Sequence, residues 1–293
     1  VAQAMVADGK GLLAADESTG TIGKRFDTIN VVSSADTRRD YRELLFKAKD
    51  IEKFISGVIL YDETIRQSAS DGTSLVDLML NKNIIPGIKV DAGAKPLAGS
   101  QNETVTEGLD GLASRVEEYV GLGAQFAKWR AVIKIGEDMP SGYAIHTNAH
   151  ALARYAKICQ EGGLVPIVEP EVLMDGVHDV EVCQHVTEET LNAVFGEIYA
   201  QGVELEAMIL KPNMIIPGSD CVDTIDTLEI ADRTVATLKR CVPAAVPGIM
   251  FLSGGQSEAD ATLNLNTMNA QNSNLPWKLS YSYGRALQAS ALQ

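Results

Sequence analysis

Eight short apolar runs, rich in β-branched residues, alternate along this chain with longer amphipathic stretches, and this alternation restricts the possible fold more than any other feature. The runs are residues 11–18, 57–63, 84–91, 126–135, 164–171, 207–214, 248–255 and 278–285. Runs this short and this apolar are typical of parallel strands that are buried on both faces.

Several of the stretches between these runs have the spacing of amphipathic helices. They are residues 35–49, 107–122, 147–161, 187–200, 229–240 and 257–269. Thr106 directly precedes the second of them. Thr187 is expected to cap the fourth helix, with acidic residues in its first turn. Gly162 and Gly163 are expected to end the third.

No linker or change of composition separates these units. A chain of 293 residues, 45% hydrophobic, is long enough for one barrel. The sequence therefore predicts the α/β class, with residues 1–293 forming one domain, a (β/α)8 TIM barrel. The alternative is a doubly wound open sheet, which usually has a glycine-rich turn after its first strand. Residues 11–18 are not followed by one.

The composition limits the classes of partner. A net charge of −14 argues against nucleic-acid binding, although a local cluster of lysine and arginine can still bind a small anion. Four cysteines without a Cys-x-x-Cys pair indicate reduced core residues and a cytoplasmic protein. No apolar run reaches membrane-spanning length and no signal peptide is recognised, so no membrane partner is expected. Because the chain runs from Val1 to Gln293, we expect that both ends are trimmed.

The run from Met208 to Met214 ends in a lone lysine, Lys211, followed by Pro212. A buried strand that delivers an amine to its C-terminal end is one way to prepare a Schiff-base nucleophile, because desolvation or a nearby cation favours the neutral amine. A single lysine at a strand end more often simply reaches water. The other strand ends therefore decide the interpretation.

In a (β/α)8 barrel, catalytic groups collect where the strands end. These positions carry Asp16-Glu17-Ser18, Asp62-Glu63, Lys89 with Asp91, Lys128 with Arg130, Glu169 with Glu171, Lys211, Ser253-Gly254-Gly255 and Gly284-Arg285. Residues i and i+2 share a face of a strand, so the paired residues are expected to point together. Ion pairs that close the barrel are the structural alternative, but so many charges after apolar strands favour a functional site.

Two of these strand ends predict a phosphate site. Ser253-Gly254-Gly255 lets backbone N–H groups approach an anion, and Gly284-Arg285 adds a forked donor. A plain strand-to-helix turn is the alternative. His146 and His150 have the i, i+4 spacing of metal ligands, but the glutamate of a His-Glu-x-x-His motif is absent, so no metal site is predicted.

At these residues the sequence closely resembles class I fructose-1,6-bisphosphate aldolase. The segments that carry the resemblance are LLAADESTGTIGKR (12–25), GIKVDAG (87–93), FAKWRAVIKI (126–135), GLVPIVEPEV (163–172), LKPNM (210–214), GIMFLSGGQSE (248–258) and SYSYGRALQASAL (280–292). The resemblance implies a homotetramer of (β/α)8 barrels that needs no metal or other cofactor. It also implies reversible cleavage of fructose 1,6-bisphosphate to dihydroxyacetone phosphate and glyceraldehyde 3-phosphate, in glycolysis or gluconeogenesis.

The resemblance also implies catalytic roles. Lys211 looks like the Schiff-base lysine and Glu169 like the acid/base residue that serves its formation. Asp16 is similar to the carboxylate at the C4 hydroxyl of the substrate. Lys128 and Glu171 look like the charged pair around that centre. Lys128, if close, disfavours a second ammonium and so helps to keep Lys211 neutral.

The substrate-binding residues implied by the resemblance are of two kinds. Ser253, Gly254, Gly284 and Arg285 match the C1-phosphate site, with Gly255 in the same turn. Ser18, Arg25 and Lys89 match other phosphate-binding residues, and Arg130 is a further match. Many family members extend beyond the equivalent of Gln293 to a tyrosine that helps to protonate the enamine, so turnover with the bisphosphate is expected to depend on that segment.

Two alternatives remain open from the sequence. One is another Schiff-base enzyme on a barrel, such as a transaldolase or a monophosphate aldolase, against which the phosphate anchors for both substrate ends argue. The other is a scaffold or binding protein that kept the barrel and lost turnover. The set Asp16, Lys128, Glu169 and Lys211 favours the aldolase.

Overall fold

The computed structural model describes residues 1–292 and contains ten strands in that range. They are β1 (Gly11–Ala15), β2 (Ile55–Leu60), β3 (Ile85–Lys89), β4 (Ala94–Pro96), β5 (Thr104–Thr106), β6 (Phe126–Ile133), β7 (Val165–Val172), β8 (Ile209–Leu210), β9 (Gly248–Phe251) and β10 (Lys278–Tyr283). Eight of them close into a parallel barrel in the order β1-β10-β9-β8-β7-β6-β3-β2. The predicted α/β fold, a (β/α)8 barrel rather than an open sheet, is confirmed.

Eleven α-helices lie within residues 1–292, one before β1 and the others after it. They are α1 (Ala2–Met5), α2 (Thr19–Asp27), α3 (Ala35–Phe46), α4 (Asp62–Ile65), α5 (Leu75–Leu80), α6 (Leu112–Gly121), α7 (Gly142–Glu161), α8 (Val180–Ala200), α9 (Thr227–Cys241), α10 (Glu258–Gln271) and α11 (Arg285–Leu292). Within residues 1–292, none of these helices is long and apolar enough to cross a membrane. The domain bounds 1–293 remain a prediction, since Gln293 lies outside the described residues.

Alternate residues of the barrel strands fill the lumen below the C-terminal ends. The buried lumen side chains include Leu12, Ala14, Ile59, Phe126, Ile167, Ile209 and Met250, and α1 packs against them through Ala2 and Met5. Ser56 at the start of β2 donates a hydrogen bond to the carbonyl of Met5 at 2.5 Å. Thus α1 closes the N-terminal end of the barrel, and the lumen is a packed core.

Two glycines make room for the largest lumen side chain. A Cβ atom on Gly87 would lie 2.2 Å from the ring of Phe126, and one on Gly57 would lie 3.0 Å from the same ring. Gly87 pairs directly with Phe126 across β3 and β6. Because real Cβ atoms do not approach so closely, the phenylalanine ring occupies the space that two side chains would otherwise fill.

A second apolar layer lies between the strands and the helices. Trp129 on β6 and Tyr155 on α7 are fully buried there, with ring centroids 5.4 Å apart. The Tyr155 hydroxyl donates to the carbonyl of Ile167 on β7 at 3.0 Å. The four cysteines are free, as expected for reduced residues, although Cys221 is only half-buried whereas the other three are buried.

Several predicted helix boundaries are wrong. Thr187 does not cap a helix, because α8 begins at Val180, where the Asp179 side chain accepts a hydrogen bond from the N–H of Val182 at 2.9 Å. Thr106 belongs to β5, which pairs with β4 in an antiparallel hairpin that the sequence interpretation missed. The helix predicted to follow it starts only at Leu112.

Other boundaries agree better with the sequence. The predicted helix 147–161 begins five residues earlier, at Gly142, after the cap of Ser141, whose hydroxyl accepts from the N–H of Ala144 at 3.1 Å. It ends at Glu161 as predicted, and Gly163 adopts a left-handed conformation with φ of +90°. Glycine adopts this conformation without the steric cost that a Cβ atom would add.

Candidate active site

A cavity of about 540 Å³ opens at the C-terminal ends of the barrel strands. Every predicted site residue except Gly255 lines it, namely Asp16, Ser18, Arg25, Lys89, Lys128, Arg130, Glu169, Glu171, Lys211, Ser253, Gly254, Gly284 and Arg285. A larger cavity of about 920 Å³ lies near the N-terminal strand ends. Among the residues that line it, only Asp8, Lys10 and Lys278 are charged. Lys278 and Asp8 form an exposed ion pair with each other there.

Four buried charges form a continuous chain at the base of the smaller cavity. The amine of Lys211 lies 3.3 Å from Glu169 Oε1, and the amine of Lys128 lies 3.2 Å from Glu169 Oε2. Lys128 also donates to Asp16 Oδ2 at 3.0 Å. Strand alternation explains the arrangement, because all four follow lumen-facing residues by two positions on β1, β6, β7 and β8. Two lysines and two carboxylates thus compensate one another away from water.

The electrostatics of these groups follow from their contacts. Burial acts to raise the pKa of Glu169, but the ammonium groups of Lys128 and Lys211 outweigh it and hold that pKa below its ordinary value. The same balance lowers the pKa of Asp16. Burial acts to lower the pKa of Lys128, yet Asp16 and Glu169 raise it above its ordinary value, so Lys128 keeps its proton.

A second ion pair lies above this chain. Arg130 donates through Nε to Glu171 Oε2, and the pair covers the side of the cavity next to β6 and β7. Burial acts to lower the pKa of Arg130, but Glu171 raises it above the ordinary value. The predicted alignment of residues i and i+2 on these strands therefore holds for Lys128 with Arg130 and for Glu169 with Glu171.

The turn after β9 and the start of α11 form one polar edge of the cavity. Gly254 and Gly255 are consecutive residues with φ of +60° and +87°, which only glycine adopts readily. A Cβ atom on Gly255 would lie 3.7 Å from the Arg285 guanidinium, so this glycine lies beside the arginine although it does not line the cavity. Arg285 opens α11 directly after Gly284.

A further group of polar side chains comes from the segment after β1. Ser18 caps α2, where its hydroxyl accepts from the N–H of Thr21 at 3.3 Å. Thr21, Lys24 and Arg25 on this helix also line the cavity. Lys89 lies at the end of β3, 3.4 Å from Asp91. Cations and an N-terminal helix end on this edge favour a bound anion.

The sequence interpretation missed one residue of the site, Ser282, and named Asp91 at a strand end without giving it a role. Ser282 lines the cavity, and its buried hydroxyl has no hydrogen-bond partner within residues 1–292. Its position two residues before Gly284 on β10 was the available signal. Asp91 accepts from the N–H of Arg130 at 3.2 Å and from that of Gly93 at 3.0 Å, and so continues the β3–β6 ladder through a side chain.

Two other sequence features lie outside this cavity. Asp62 and Glu63 follow β2 but form ion pairs with Arg66 and Arg38, at 2.8 and 2.6 Å, as the structural alternative anticipates. His146 and His150 are exposed on α7 beside Glu197 of α8. In the part of the chain that the structure describes, no cluster of His, Cys, Asp or Glu has the arrangement of a metal site.

Known proteins resemble this chain over its whole length. A family model described as class-I fructose-bisphosphate aldolase matches residues 1–293. A probable fructose-bisphosphate aldolase class 1 from Xanthomonas campestris is 58% identical over 292 residues, which cover 100% of this chain and 87% of that protein. Fructose-bisphosphate aldolase 4, cytosolic, from Arabidopsis thaliana is 55% identical over 97% of this chain and 72% of that protein.

The fold comparison agrees with the sequence comparison. The fructose-bisphosphate aldolase of Plasmodium falciparum, solved with TRAP and a small-molecule inhibitor, superposes with a TM-score of 0.98 at 52% identity, over 99% of this chain and 84% of that one. Matches of this length and identity, together with a barrel whose mouth holds the buried set Lys211, Glu169, Lys128 and Asp16, leave one conclusion. The chain belongs to the class-I fructose-bisphosphate aldolase family.

Proposed function

We propose that this chain cleaves fructose 1,6-bisphosphate reversibly, as a carbon–carbon lyase, with Lys211 as the Schiff-base lysine. The observation that carries the proposal is the contact of the buried Lys211 amine with Glu169 at 3.3 Å, at the base of a cavity that both groups of proposed phosphate-binding residues line. An amine next to a buried carboxylate has a proton acceptor at hand, which nucleophilic attack on a ketone requires.

The first steps form the iminium. Glu169 takes a proton from the Lys211 ammonium, and the neutral nitrogen then attacks C2 of the open-chain sugar. A second proton moves from this nitrogen to the carbonyl oxygen, which gives the neutral carbinolamine. Glu169 returns its proton to the departing hydroxyl, so that water leaves and the iminium forms. General acid–base steps of this kind contribute roughly 10²–10⁴ in rate.

The electrostatics explain how Glu169 serves as base and then as acid. In the free enzyme the two ammonium groups lower its pKa, so it is ionised and accepts a proton. At the carbinolamine the nitrogen of Lys211 is neutral, so one of these two favourable charges is gone and Glu169 holds its proton more firmly. The proton is then available when water leaves and the charged iminium forms.

The iminium then accepts the electron pair of the C3–C4 bond. Asp16 takes the proton of the C4 hydroxyl as that carbon becomes the aldehyde, and glyceraldehyde 3-phosphate departs. The remaining enamine takes up a proton at C3, which balances the proton that Asp16 gained and gives up again. Hydrolysis of the iminium then releases dihydroxyacetone phosphate and regenerates Lys211. Lys128, charged and 3.0 Å from Asp16, orients this carboxylate and favours its ionised form, and Glu171 with Arg130 completes the polar wall.

Two groups of residues hold the phosphates in this proposal. The C1 phosphate binds at Ser253, Gly254, Gly284 and Arg285, beside Gly255. The other phosphate binds at Ser18, Arg25 and Lys89. Both groups line the cavity that holds Lys211, and this supports the assignment. Arginine forks and backbone N–H groups suit phosphate oxygens.

Borohydride reduction with dihydroxyacetone phosphate tests the proposal. One ligand per subunit is expected, and peptide mapping should locate it on Lys211. Lys211→Met is the matched variant, because it removes the amine and keeps the length of the side chain. Labelling that survives in Lys211→Met would overturn the assignment, whereas labelling without cleavage of the bisphosphate would favour a barrel that has lost turnover.

A separate proposal concerns the assembly and the cellular location of the protein. We propose a cytoplasmic homotetramer, because the resemblance to the family implies one and because two Arabidopsis relatives at 55–56% identity are named cytosolic. Light scattering after size-exclusion chromatography tests this. A mass corresponding to one subunit of 31.4 kDa would contradict the tetramer.

A further inference from the structure

A buried glutamine joins the two phosphate-binding edges of the cavity. Gln288 lies on α11, one turn after Arg285, and only 2% of it is exposed. The neighbouring edge consists of the end of β1, which pairs with β10, and of α2, which carries Arg25. Gln288 therefore lies on α11, which bears Arg285, and contacts the segment from β1 to α2, which bears Arg25.

The side chain of Gln288 uses its whole hydrogen-bonding capacity in this position. Its Nε2 donates to the carbonyl of Ala14 at 2.7 Å and to Glu17 Oε1 at 2.9 Å. Its Oε1 accepts from the Tyr41 hydroxyl at 3.0 Å and from Arg25 Nη1 at 3.5 Å. A primary amide has two protons and two lone pairs, and all four are engaged. A carbonyl and a carboxylate only accept, so these partners also fix which way the amide points.

The contact between Gln288 and Arg25 is supported by an ion pair of Arg25 with Glu17. Arg25 Nη1 lies 2.5 Å from Glu17 Oε1, the same oxygen that Gln288 contacts. Glu17 is buried, and its main-chain carbonyl accepts from the fully buried Arg42 at 2.7 Å. The guanidinium of Arg25 is thus held by Glu17 and Gln288 together. Gln288 is joined to β1 through the carbonyl of Ala14, and Glu17 is joined to α3 through Arg42.

We propose that Gln288 is a positioning residue that sets the distance between Arg285 and Arg25, and thereby makes the site selective for a sugar with a phosphate at each end. The inference rests on the proposed function, which assigns these arginines to different phosphates. A bisphosphate must meet both anchors at once, whereas fructose 1-phosphate needs only the anchor at Arg285. A change in the distance between the two arginines therefore lowers kcat/KM for the bisphosphate more than kcat/KM for fructose 1-phosphate.

The experiment compares kcat/KM for fructose 1,6-bisphosphate with kcat/KM for fructose 1-phosphate, and takes their ratio as the selectivity. Gln288→Met keeps the length of the side chain and removes all four hydrogen bonds. We expect the selectivity to fall about tenfold, as the loss of one hydrogen bond to a charged group does. The exposed Gln271 at the end of α10 supplies the matched control, and Gln271→Met should leave the selectivity unchanged.

A double variant separates this inference from the function on which it rests. Arg25→Ala should itself lower the selectivity, and Gln288→Met should lower it no further in the Arg25→Ala background, because Gln288 acts through Arg25. If Arg25→Ala lowers the selectivity and Gln288→Met does not, the inference is wrong while the proposed function stands. If neither variant changes it, the assignment of Arg25 fails and the inference fails with it.

A structural role alone would give a different result. Poorer folding lowers kcat/KM for both substrates by the same factor, and the amount of dihydroxyacetone phosphate trapped per subunit reports the fraction of intact sites. An equal loss for both substrates would therefore overturn the inference. If Gln288→Met does not fold, Gln288→Asn tests the same ratio, since it keeps the amide but is one methylene too short to reach all its partners.

Discussion

The amine of Lys128 lies 3.0 Å from Asp16 Oδ2, across the lumen between β6 and β1, and both side chains are buried. The same amine lies 3.2 Å from Glu169. One ammonium thus compensates two carboxylates that the low-polarity lumen would otherwise disfavour. This makes Lys128 as important for the stability of the barrel mouth as for the chemistry proposed there.

Lys128→Met is expected to destabilise the protein in a pH-dependent way. Removing one partner of a buried ion pair leaves uncompensated charge and costs about 3–5 kcal/mol. Asp16 has a pKa that burial acts to raise and the neighbouring ammonium groups lower overall. A carboxyl with a lowered folded pKa stabilises the fold above its unfolded pKa of about 3.9, and this contribution is lost as the pH falls through the folded value.

The loss in free energy of unfolding caused by Lys128→Met should therefore be largest near neutral pH. It should become smaller below about pH 4, where the carboxyls take up protons. Urea unfolding from pH 3 to pH 8 measures it. Lys10→Met provides a control, because Lys10 lies near the other end of the barrel. A deficit that is constant over this range would show that Asp16 and Glu169 are not stabilised by Lys128.

Arg285→Ala is expected to weaken the binding of both fructose 1,6-bisphosphate and fructose 1-phosphate, because both carry the C1 phosphate. The loss of a charge-assisted contact costs roughly 1.5–3 kcal/mol, or about ten- to a hundred-fold in kcat/KM. Lys89→Ala should reduce kcat/KM more for the bisphosphate than for fructose 1-phosphate. Steady-state kinetics with both substrates measure this difference, and Arg285→Ala that leaves both substrates unaffected would show that the phosphate edge is assigned wrongly.

Chelation is expected to leave the activity unchanged. The iminium on Lys211 itself accepts the electrons of the broken bond, whereas zinc-dependent aldolases polarise the carbonyl with a bound ion. The measurement is the rate of bisphosphate cleavage before and after dialysis against EDTA. A loss of rate that zinc restores would favour the metal mechanism over the lysine mechanism.

Gly87→Ala is expected to destabilise the barrel by about 1–3 kcal/mol, because the added methyl group would overlap the ring of Phe126. Phe126→Leu in the same chain should recover part of that loss by freeing the space. Gly20→Ala is a suitable control, since nothing lies within 4 Å of a Cβ atom there. Thermal unfolding of the four proteins measures the effect, and a stable Gly87→Ala would mean that the lumen adjusts more easily than its packing indicates.

The barrel was predictable because its signal is repeated. Strands buried on both faces need continuous apolar runs, and eight such runs separated by helices leave few alternatives. The ends of elements depend on single contacts. Asp179 competes with Thr187 as a helix cap, and only the structure shows that the Thr187 hydroxyl is instead buried and accepts from Asn213 Nδ2 at 3.1 Å.

The candidate site was predictable to the extent that its residues belong to strands or directly follow them. Lys211 follows β8, whereas Lys128 and Glu169 lie within β6 and β7, and strand periodicity places each of them toward the lumen. Gln288 and Arg42 carry no such signal, because each lies on a helix and its role depends on contacts with residues that are distant in the sequence. Gln288 contacts Ala14 across 274 positions of the chain, a relationship that periodicity does not reveal.

The packed lumen beneath Lys211, closed by Phe126 and by Met5 of α1, has a consequence for the order of product release. Both trioses must leave through the opening by which the hexose arrived, and they are not equally free to do so. The aldehyde fragment is released when the C3–C4 bond breaks, while the ketone fragment stays bonded to Lys211 in the proposed mechanism. Glyceraldehyde 3-phosphate therefore departs first, and in the reverse direction dihydroxyacetone phosphate must bind before it.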